Sequence, residues 1–404
     1  MHRGLTGTYL ASIAGGHACQ AFMPAPLPPS PPLVFDDRLQ ASINHALLAL
    51  GRLDAISALL PDARLFLYSY VRKEAVMSSQ IEGTQSSLSD LMLFEMDAQP
   101  GVPMDDVQEV SCYVKALDLG VRRLREGLPL SRRLLCEVHE ALMTSGRGVQ
   151  RSPGQFRRNQ VWIGGHRADE AQFVPPPPAA LDDCFGALER FLNDVDATTA
   201  PVIKAALAHV QFETIHPFMD GNGRLGRLLI PLVLVEAGVL SEPLLYLSVF
   251  FKRHRQTYYD LLQQVRTHGD WEAWLLFFVD AITVTATEAV DTARLLTALH
   301  AQDKARLATI GRLSGSALQV LDALCARPGA NIPAITRATG ITPATVGKAL
   351  DVLQNQFGIV EELTGNRRNR VFAYRAYIAL LNRDEAEQEV PTAPAATLSG
   401  VFGS

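Results

Sequence analysis

Residues 216–227 read HPFMDGNGRLGR, and the fold is read outward from this stretch. Pro217 disfavours the helical region for the residue before it, so an upstream helix ends at His216 and leaves its ring free to face a cleft. Gly221 and Gly223 flank Asn222, and two glycines this close let the backbone turn so that N–H groups point into one anion-binding hollow. From Arg224 onward Leu225, Leu228, Leu229, Ile230, Leu232, Val233 and Leu234 form an apolar helix, so the hollow lies at its N-terminus, where unpaired N–H groups and the helix dipole favour phosphate. Arg224 and Arg227 stand on one side of that helix, and guanidinium groups fork onto phosphate oxygens in a way lysine does not. Asp220 adds a hard carboxylate, which together with substrate phosphates suits Mg2+. The parts are a base, a metal ligand and a polyphosphate cradle.

A lone GxG marks an ordinary turn, and a helix-end histidine is often plain core. Packing alone, however, does not require this combination of histidine, aspartate, glycines and arginines in so short a stretch. The string resembles the signature of the Fic family, HxFx[DE]GNGRxxR, and matches it at every fixed position. The resemblance implies a protein adenylyltransferase, moving AMP from ATP to a Ser, Thr or Tyr hydroxyl of a target protein. In that reading His216 is the general base, suited to the task by a reference pKa of about 6.5. Asp220 holds Mg2+, while Gly221, Asn222, Gly223, Arg224, Leu225, Gly226 and Arg227 surround the nucleotide. A relative that phosphorylates replaces the central GNGR by ANKR, and Gly221 and Arg224 here favour adenylylation. Phosphocholine transfer and AMP removal by the same site stay open.

Upstream, residues 63–82, ARLFLYSYVRKEAVMSSQIE, form a long amphipathic stretch that stops at Gly83, the residue expected just past a helix end. Ser78 and Glu82 are four apart and share a face, and SSQIEG matches the inhibitory motif [ST]xxxE[GN] found beside Fic domains. Residues 31–91 as a whole resemble the N-terminal region of one Fic subgroup. The resemblance implies that Glu82 pairs with Arg227 and occupies the guanidinium meant for the ATP γ-phosphate. The bland alternative is a surface glutamate at a helix end, where the dipole disfavours it.

Between these stretches, residues 155–178 break the helical pattern. Val161, Trp162 and Ile163 run into Gly164 and Gly165, and Gln172 to Val174 is extended before four prolines, so a β-hairpin or flap is expected. An open edge there can add a strand from a partner segment, and the family presents its target hydroxyl on such a flap; a hairpin that merely covers the core is the alternative. Downstream, Tyr258 and Tyr259 are adjacent and cannot both face the core. Resemblance to the family's YY pair favours Tyr259 as a wall for adenine, with core packing as the alternative.

Residues 316–375 give helix, helix, Gly340, a helix opened by Thr342 and Pro343, then two strands around GNRRN, an order that resembles a winged helix-turn-helix. Arg367, Arg368 and Arg370 fall on its wing, but its third helix offers only Lys348 for phosphate. DNA binding and protein contact therefore stand as alternatives. A nucleotide-sensing, DNA-binding transcription regulator is the rival to the enzyme.

The 404 residues exceed one ordinary domain. The fold expected is mainly α: a Fic helical domain with a short β-hairpin flap, plus the C-terminal winged helix-turn-helix. The expected partition is a disordered extension over 1–30, a helical region with the inhibitory helix over 31–100, a catalytic domain over 101–306, the winged domain over 307–382 and a disordered tail over 383–404. Hydrophobic residues at 48% and charged residues at 20% are those of a soluble globular protein, and no apolar run is read as a membrane span. A net charge of −5 gives no global pull toward nucleic acid. Five scattered cysteines without CxxC point to core thiols in a reducing cytoplasm, and the first residues lack an apolar signal core. A homodimer is expected.

Overall fold

The computed structural model describes residues 3–59, 63–95, 101–145, 150–194, 199–309, 314–365 and 370–383. Arg367, Arg368 and the tail expected to be disordered from 384 onward lie outside these residues. The chain divides into two units, Met1–Arg294 and Leu295–Ser404.

The larger unit is built around two consecutive helices, α7 (Pro201–Ile215) and α8 (Asn222–Glu236). Pro201 at the first position of α7 gives up an N–H that has no helical partner there, and its fixed φ starts the helix. Every residue of α7 from Ala205 to Ile215 is buried. Such a helix, buried on all sides, belongs at the centre of a helical layer. In α8, Leu225, Leu228, Leu229 and Leu232 are wholly buried, each worth roughly 1.5–3 kcal/mol of transfer free energy. The sequence therefore anchors both flanks of the 216–221 loop in core.

Around this pair stand α1 (Asp37–Leu59), α2 (Ala63–Ile81), α3 (Leu88–Phe94), α4 (Met104–Arg125), α5 (Arg132–Leu142), α6 (Leu181–Leu192), α9 (Ser248–Arg253) and α10 (Arg255–His268). Ser87 and Asp90 close a reciprocal cap on α3, and Ser131 caps α5 through the Leu134 N–H. Helix α2 packs on α4, α8 and α9, which carries its C-terminal end to the start of α8. Helix α11 (Trp271–Leu307) corrects one expectation, because by length and composition it is apolar enough to cross a bilayer. Its Trp274, Leu275, Phe278 and Ile282 are buried in the larger unit, and the Trp274 indole donates to the Ala206 carbonyl of α7 at 3.0 Å. Core helices and membrane spans draw on the same residues, and position in the fold tells them apart.

A second correction concerns the N-terminus. In place of a disordered extension, β1 (Gly7–Ala14) and β2 (His17–Pro24) form an antiparallel hairpin turned at Gly15 and Gly16, with φ of 56° and 82°. Two residues at positive φ are what a tight hairpin turn needs, and glycine takes them without a Cβ penalty. Phe22 is fully buried, packs edge-on against Tyr9 at 5.3 Å, and donates its N–H to the Val174 carbonyl at 2.8 Å. Arg3 ties the segment down through Glu272.

The flap is also slighter than expected. The hairpin shrinks to one antiparallel bridge, Ile163 with Phe173, on a loop that contains a short 3-10 turn at Ala168–Glu170. Gly164 and Gly165 both have positive φ and turn the chain, but residues 164–172 with their 3-10 turn separate the bridged pair, a longer connection than the two-residue turn at Gly15 and Gly16. Strand β2 lies on the other side of Val174, through the Phe22 bond.

The smaller unit contains α12 (Ser314–Ala326), β3 (Gly329–Asn331), α13 (Ile332–Thr339), α14 (Pro343–Asn355), β4 (Val360–Glu362), β5 (Val371–Tyr374) and α15 (Arg375–Leu381), with its antiparallel sheet in the order β3-β5-β4. Gly340 ends α13 in the left-handed region, and Thr342 caps α14 through the Thr345 N–H. Leu321, Leu324, Val346, Leu350 and Phe372 form its core, and the Tyr374 hydroxyl donates to Asp303 at 2.6 Å. Strand β3 and helix α15 were not expected from the sequence.

Candidate active site

Helix α7 stops at His216, whose backbone sits in the left-handed region at φ 49° and ψ 60°. A non-glycine residue there is held by its surroundings, and the holding group is Arg157. Its guanidinium is buried and donates from Nε to the His216 carbonyl at 2.9 Å and from Nη2 to the Pro176 carbonyl at 2.5 Å and the Ile215 carbonyl at 3.5 Å. Nη1 donates to the Asn159 carbonyl at 3.2 Å, and the Arg157 N–H donates to the Pro217 carbonyl at 2.9 Å. The bonds to Ile215 and His216 satisfy carbonyls that the end of α7 leaves without helical partners, and those to Asn159 and Pro176 tie the flap segment to it. Burial lowers the Arg157 pKa to about 10.

The loop that follows is clamped twice. The Asn222 side chain accepts from the Phe218 N–H at 2.9 Å and donates to the Phe218 carbonyl at 2.8 Å, so it closes the turn while its backbone opens α8. His139, on α5, stacks on Phe218 at 3.7 Å. It accepts the Gly154 N–H at Nδ1, 2.9 Å away, which leaves the proton on Nε2 to be donated to the Asp220 carbonyl at 3.0 Å. Burial, with Arg224 adding to it, lowers the His139 pKa to about 4, so the neutral ring keeps that tautomer. Gly221 is left-handed at φ 78°, and a Cβ there would press on Met143. The first turn of α8, at Asn222, Gly223 and Arg224, directs its N–H groups without intrahelical partners at the hollow.

The His216 ring lies at the edge of this hollow with 19% of its side chain accessible. Nδ1 is buried, the Glu213 main-chain carbonyl one turn back is its hydrogen-bonding neighbour, at a geometry short of a well-formed bond, and the Glu213 carboxylate is 4.0 Å from it. Burial first, then the Arg157 and Arg266 guanidiniums, lowers the His216 pKa to about 4, so the ring is neutral at pH 7 and able to take a proton. Asp220 is exposed and accepts the Gly221 N–H at 2.6 Å.

The two arginines differ in their partners. Arg224 is buried, 3.2 Å from the Glu109 carboxylate and 4.0 Å from that of Asp220. Arg227 is buried and donates from Nε to Ser78 Oγ and from Nη2 to the Ser78 carbonyl, both at 2.9 Å, and from Nη2 to Glu82 at 2.7 Å. Glu82 lies one residue past the end of α2, against Gly223; a Cβ at Gly223 would collide with its carboxylate. The glycine cradle and Arg227 thus already hold a carboxylate. Burial works against the charge on Glu82, but Arg227 outweighs it and holds the carboxyl below its ordinary range. Burial likewise opposes charge on Arg227, and Glu82 outweighs it there too.

Leu225 is core, Gly226 lets α7 and α8 approach closely, and the Gly226 carbonyl meets His209 Nδ1 at 2.9 Å. Tyr258 is buried with its hydroxyl on His209 Nε2, whereas Tyr259 is 38% exposed with the Arg255 guanidinium over its ring at 5.8 Å. Val161, Trp162 and Ile163 are half-buried on the flap, and Trp162 approaches the hairpin turn at Gly15. Among the described residues no group of three or more His, Cys, Asp and Glu is arranged to hold a metal. His139, Arg157, Glu109 and Glu213 were missed from sequence; only Glu213, one helical turn before His216, carried a local signal.

Comparison with known proteins agrees with this geometry. Residues 40–122 match the Fic/DOC family N-terminal domain and residues 129–234 the Fic/DOC family domain. Over 128 residues, 31% of this chain and 23% of the relative, it is 41% identical to Protein adenylyltransferase Fic of Aedes aegypti. Over 254 residues, 62% of this chain and 47% of the relative, it is 31% identical to the protein of the same name from Drosophila erecta. The chain therefore spans less than half the length of these curated relatives. The fold is similar to the crystal structure of a Fic family protein from Desulfovibrio desulfuricans G20, with a TM-score of 0.54 and 19% identity over 85% of this chain and 97% of that one. With both domain matches in sequence order and the 216–227 loop built as described, this chain carries the Fic/DOC family N-terminal and Fic domains between residues 40 and 234.

Proposed function

We propose that this chain is a protein adenylyltransferase that moves AMP from ATP to a hydroxyl of a target protein and is restrained by its own Glu82. The observation that carries this reading is a neutral His216 ring beside an N–H cradle and a buried guanidinium that an anion already occupies. With Nδ1 buried, Nε2 is the nitrogen left to meet a hydroxyl. Nε2 takes the hydroxyl proton as the oxygen forms its bond to the α-phosphorus. The bond from that phosphorus to the bridging oxygen breaks, and its electron pair leaves with pyrophosphate. The N–H groups of the first turn of α8, with Arg224 and Arg227, hold the phosphate charge, and such preorganised stabilisation is the larger part of catalysis in phosphoryl transfer.

Asp220 fits a Mg2+ ion as a single exposed carboxylate beside the phosphate cradle, a donor set that a divalent ion completes with phosphate oxygens and water. When bound there, Mg2+ would neutralise charge on the phosphates. Tyr259 offers the ring face for adenine, and the flap residues Val161, Trp162 and Ile163 offer a main-chain edge for the target.

Glu82 restrains this machinery by competition, since its carboxylate sits on Arg227 and against Gly223, where an anionic phosphate oxygen would go. The test is incubation of the chain and of a cell lysate with labelled Mg-ATP, followed by mass spectrometry for AMP adducts. Transfer is expected from the intact chain and none from His216→Ala with ATP binding retained. Transfer that survives the substitution would move the base elsewhere.

A further inference from the structure

Beside the signature loop lies a cavity whose charge is not balanced. It has a volume of about 250 Å³, and Arg151, Ser152, Phe156, Arg158 and Met219 are among its walls, the last of them next to Asp220. No carboxylate lines it, and among the described residues neither Arg151 nor Arg158, both exposed, has a hydrogen bond or an ion pair. The adjoining cavity, which shares Phe156 and Arg158 as walls, differs, because its Arg132 is held by Asp182 at 2.6 Å. In a chain of net charge −5, two uncompensated guanidiniums on one hollow are a local exception that favours an anion. The walls themselves are braced. Gly154 donates its N–H to His139 at 2.9 Å, Phe156 packs edge-on against Phe185 and Phe218 at 5.0 and 5.3 Å, and the Arg157 N–H holds the Pro217 carbonyl. Ser152 turns the chain at φ 53°, its carbonyl taken by the Gln155 N–H at 3.1 Å. The contacts that brace the 216–221 loop thus also set the shape of this cavity, so a ligand there meets groups already in place and binds at little cost in ordering.

Resting on the adenylyltransferase reading, we propose that the cavity receives a carboxylate side chain of the target protein, and that Arg151 and Arg158 thereby select hydroxyls with an Asp or Glu close by in sequence. Arg158 precedes Val161 of the flap by three residues, at most about 11 Å of extended chain. A target strand laid along residues 161–163 therefore brings a side chain about three to five positions from the docked hydroxyl within reach of the two guanidiniums. A carboxylate there gains charge-assisted hydrogen bonds from a donor fork that matches its shape, whereas a Lys or Arg of the target is repelled by both groups. A polynucleotide suits the cavity less well, because its affinity comes from many phosphates met by an extended row of basic groups, and here two basic groups share one hollow.

The experiment reads the sequence around the adduct. Full chain carrying Glu82→Gly is incubated with a cell lysate and labelled Mg-ATP, and the modified peptides are sequenced by mass spectrometry. Asp and Glu are expected within about five positions of the adduct more often than around unmodified hydroxyls of the same proteins. Adding Arg151→Glu and Arg158→Glu is expected to cut labelling of those sites about fivefold, the upper end for an exposed ion pair, and to shift the preference to Lys and Arg, with KM for ATP within about twofold. Adducts without acidic enrichment, or an enrichment that survives the charge reversal, overturn the proposal. If the Glu82→Gly chain labels nothing in the lysate, the adenylyltransferase reading falls, and the cavity is decided by binding alone. A fluorescent serine peptide with Glu on either side is then compared with its Lys counterpart by anisotropy on the wild-type chain. Tighter binding of the Glu peptide, lost on charge reversal, supports the site; equal binding of the two peptides, or tighter binding of single-stranded RNA, overturns it.

Discussion

Two buried arginines flank the same loop and are held in opposite ways. Arg157 gives its side-chain hydrogen bonds to backbone carbonyls, those of Asn159, Pro176, Ile215 and His216, and burial lowers its pKa to about 10. Arg227 shares its donors between Ser78 and a carboxylate that belongs to a residue past a helix end, and its pKa is held above the ordinary value. Backbone carbonyls cannot leave, so Arg157 is a fixture of the architecture. A carboxylate on a half-exposed glutamate can leave, and an incoming anion can replace it. One guanidinium shapes the site, and the other is available for exchange.

The largest effect should come from breaking the fixture. Arg157→Met keeps the length and removes the donors, leaving buried carbonyls whose desolvation costs about 1–3 kcal/mol each. We expect a fall of several degrees or more in melting temperature and loss of transfer even where the fold survives, read by calorimetry and by AMP labelling. Next comes release of the exchangeable partner. Glu82→Gly should raise AMP incorporation into the chain itself, and no increase would remove Glu82 from the inhibitory role.

The smallest effect separates the two arginines by pH. The Glu82 carboxyl is held below its ordinary value, so its pairing contributes stability above the unfolded value and loses it as pH falls through the lower, folded one. Glu82 is partly exposed, so that contribution is below about 1 kcal/mol. The difference in melting temperature between wild type and Glu82→Gln should therefore shrink as pH falls from 7 to 3. The carbonyls that Arg157 bonds do not titrate, so the difference between wild type and Arg157→Met should change over the same range only through His216, whose pKa burial and Arg157 hold at about 4.

How much of this was legible depended on distance along the chain. The end of α7 at His216, the hollow at the start of α8 and the SSQIEG segment are local features, written in proline, glycine and spacing. The groups that hold the loop in shape are not local: His139 meets Asp220 across 81 positions, and Arg157 meets His216 across 59. No periodicity marks such residues. The N-terminal hairpin is a different lesson, because its signal was present. Two apolar-rich runs separated by Gly15 and Gly16 are a hairpin pattern, and the prolines that follow from Pro24 onward begin only where the second run ends. In the flap, Gly164 and Gly165 suggested a turn correctly but could not reveal that a single bridge would form.

The left-handed backbone of His216 bears on how a partner could be fished out of a lysate. Alanine at that position sits in a conformation that costs an ordinary residue roughly 1–2 kcal/mol, whereas asparagine visits it routinely. A bait that binds its client and never lets the reaction proceed is therefore better made with His216→Asn, which removes the imidazole and suits the bend in the chain.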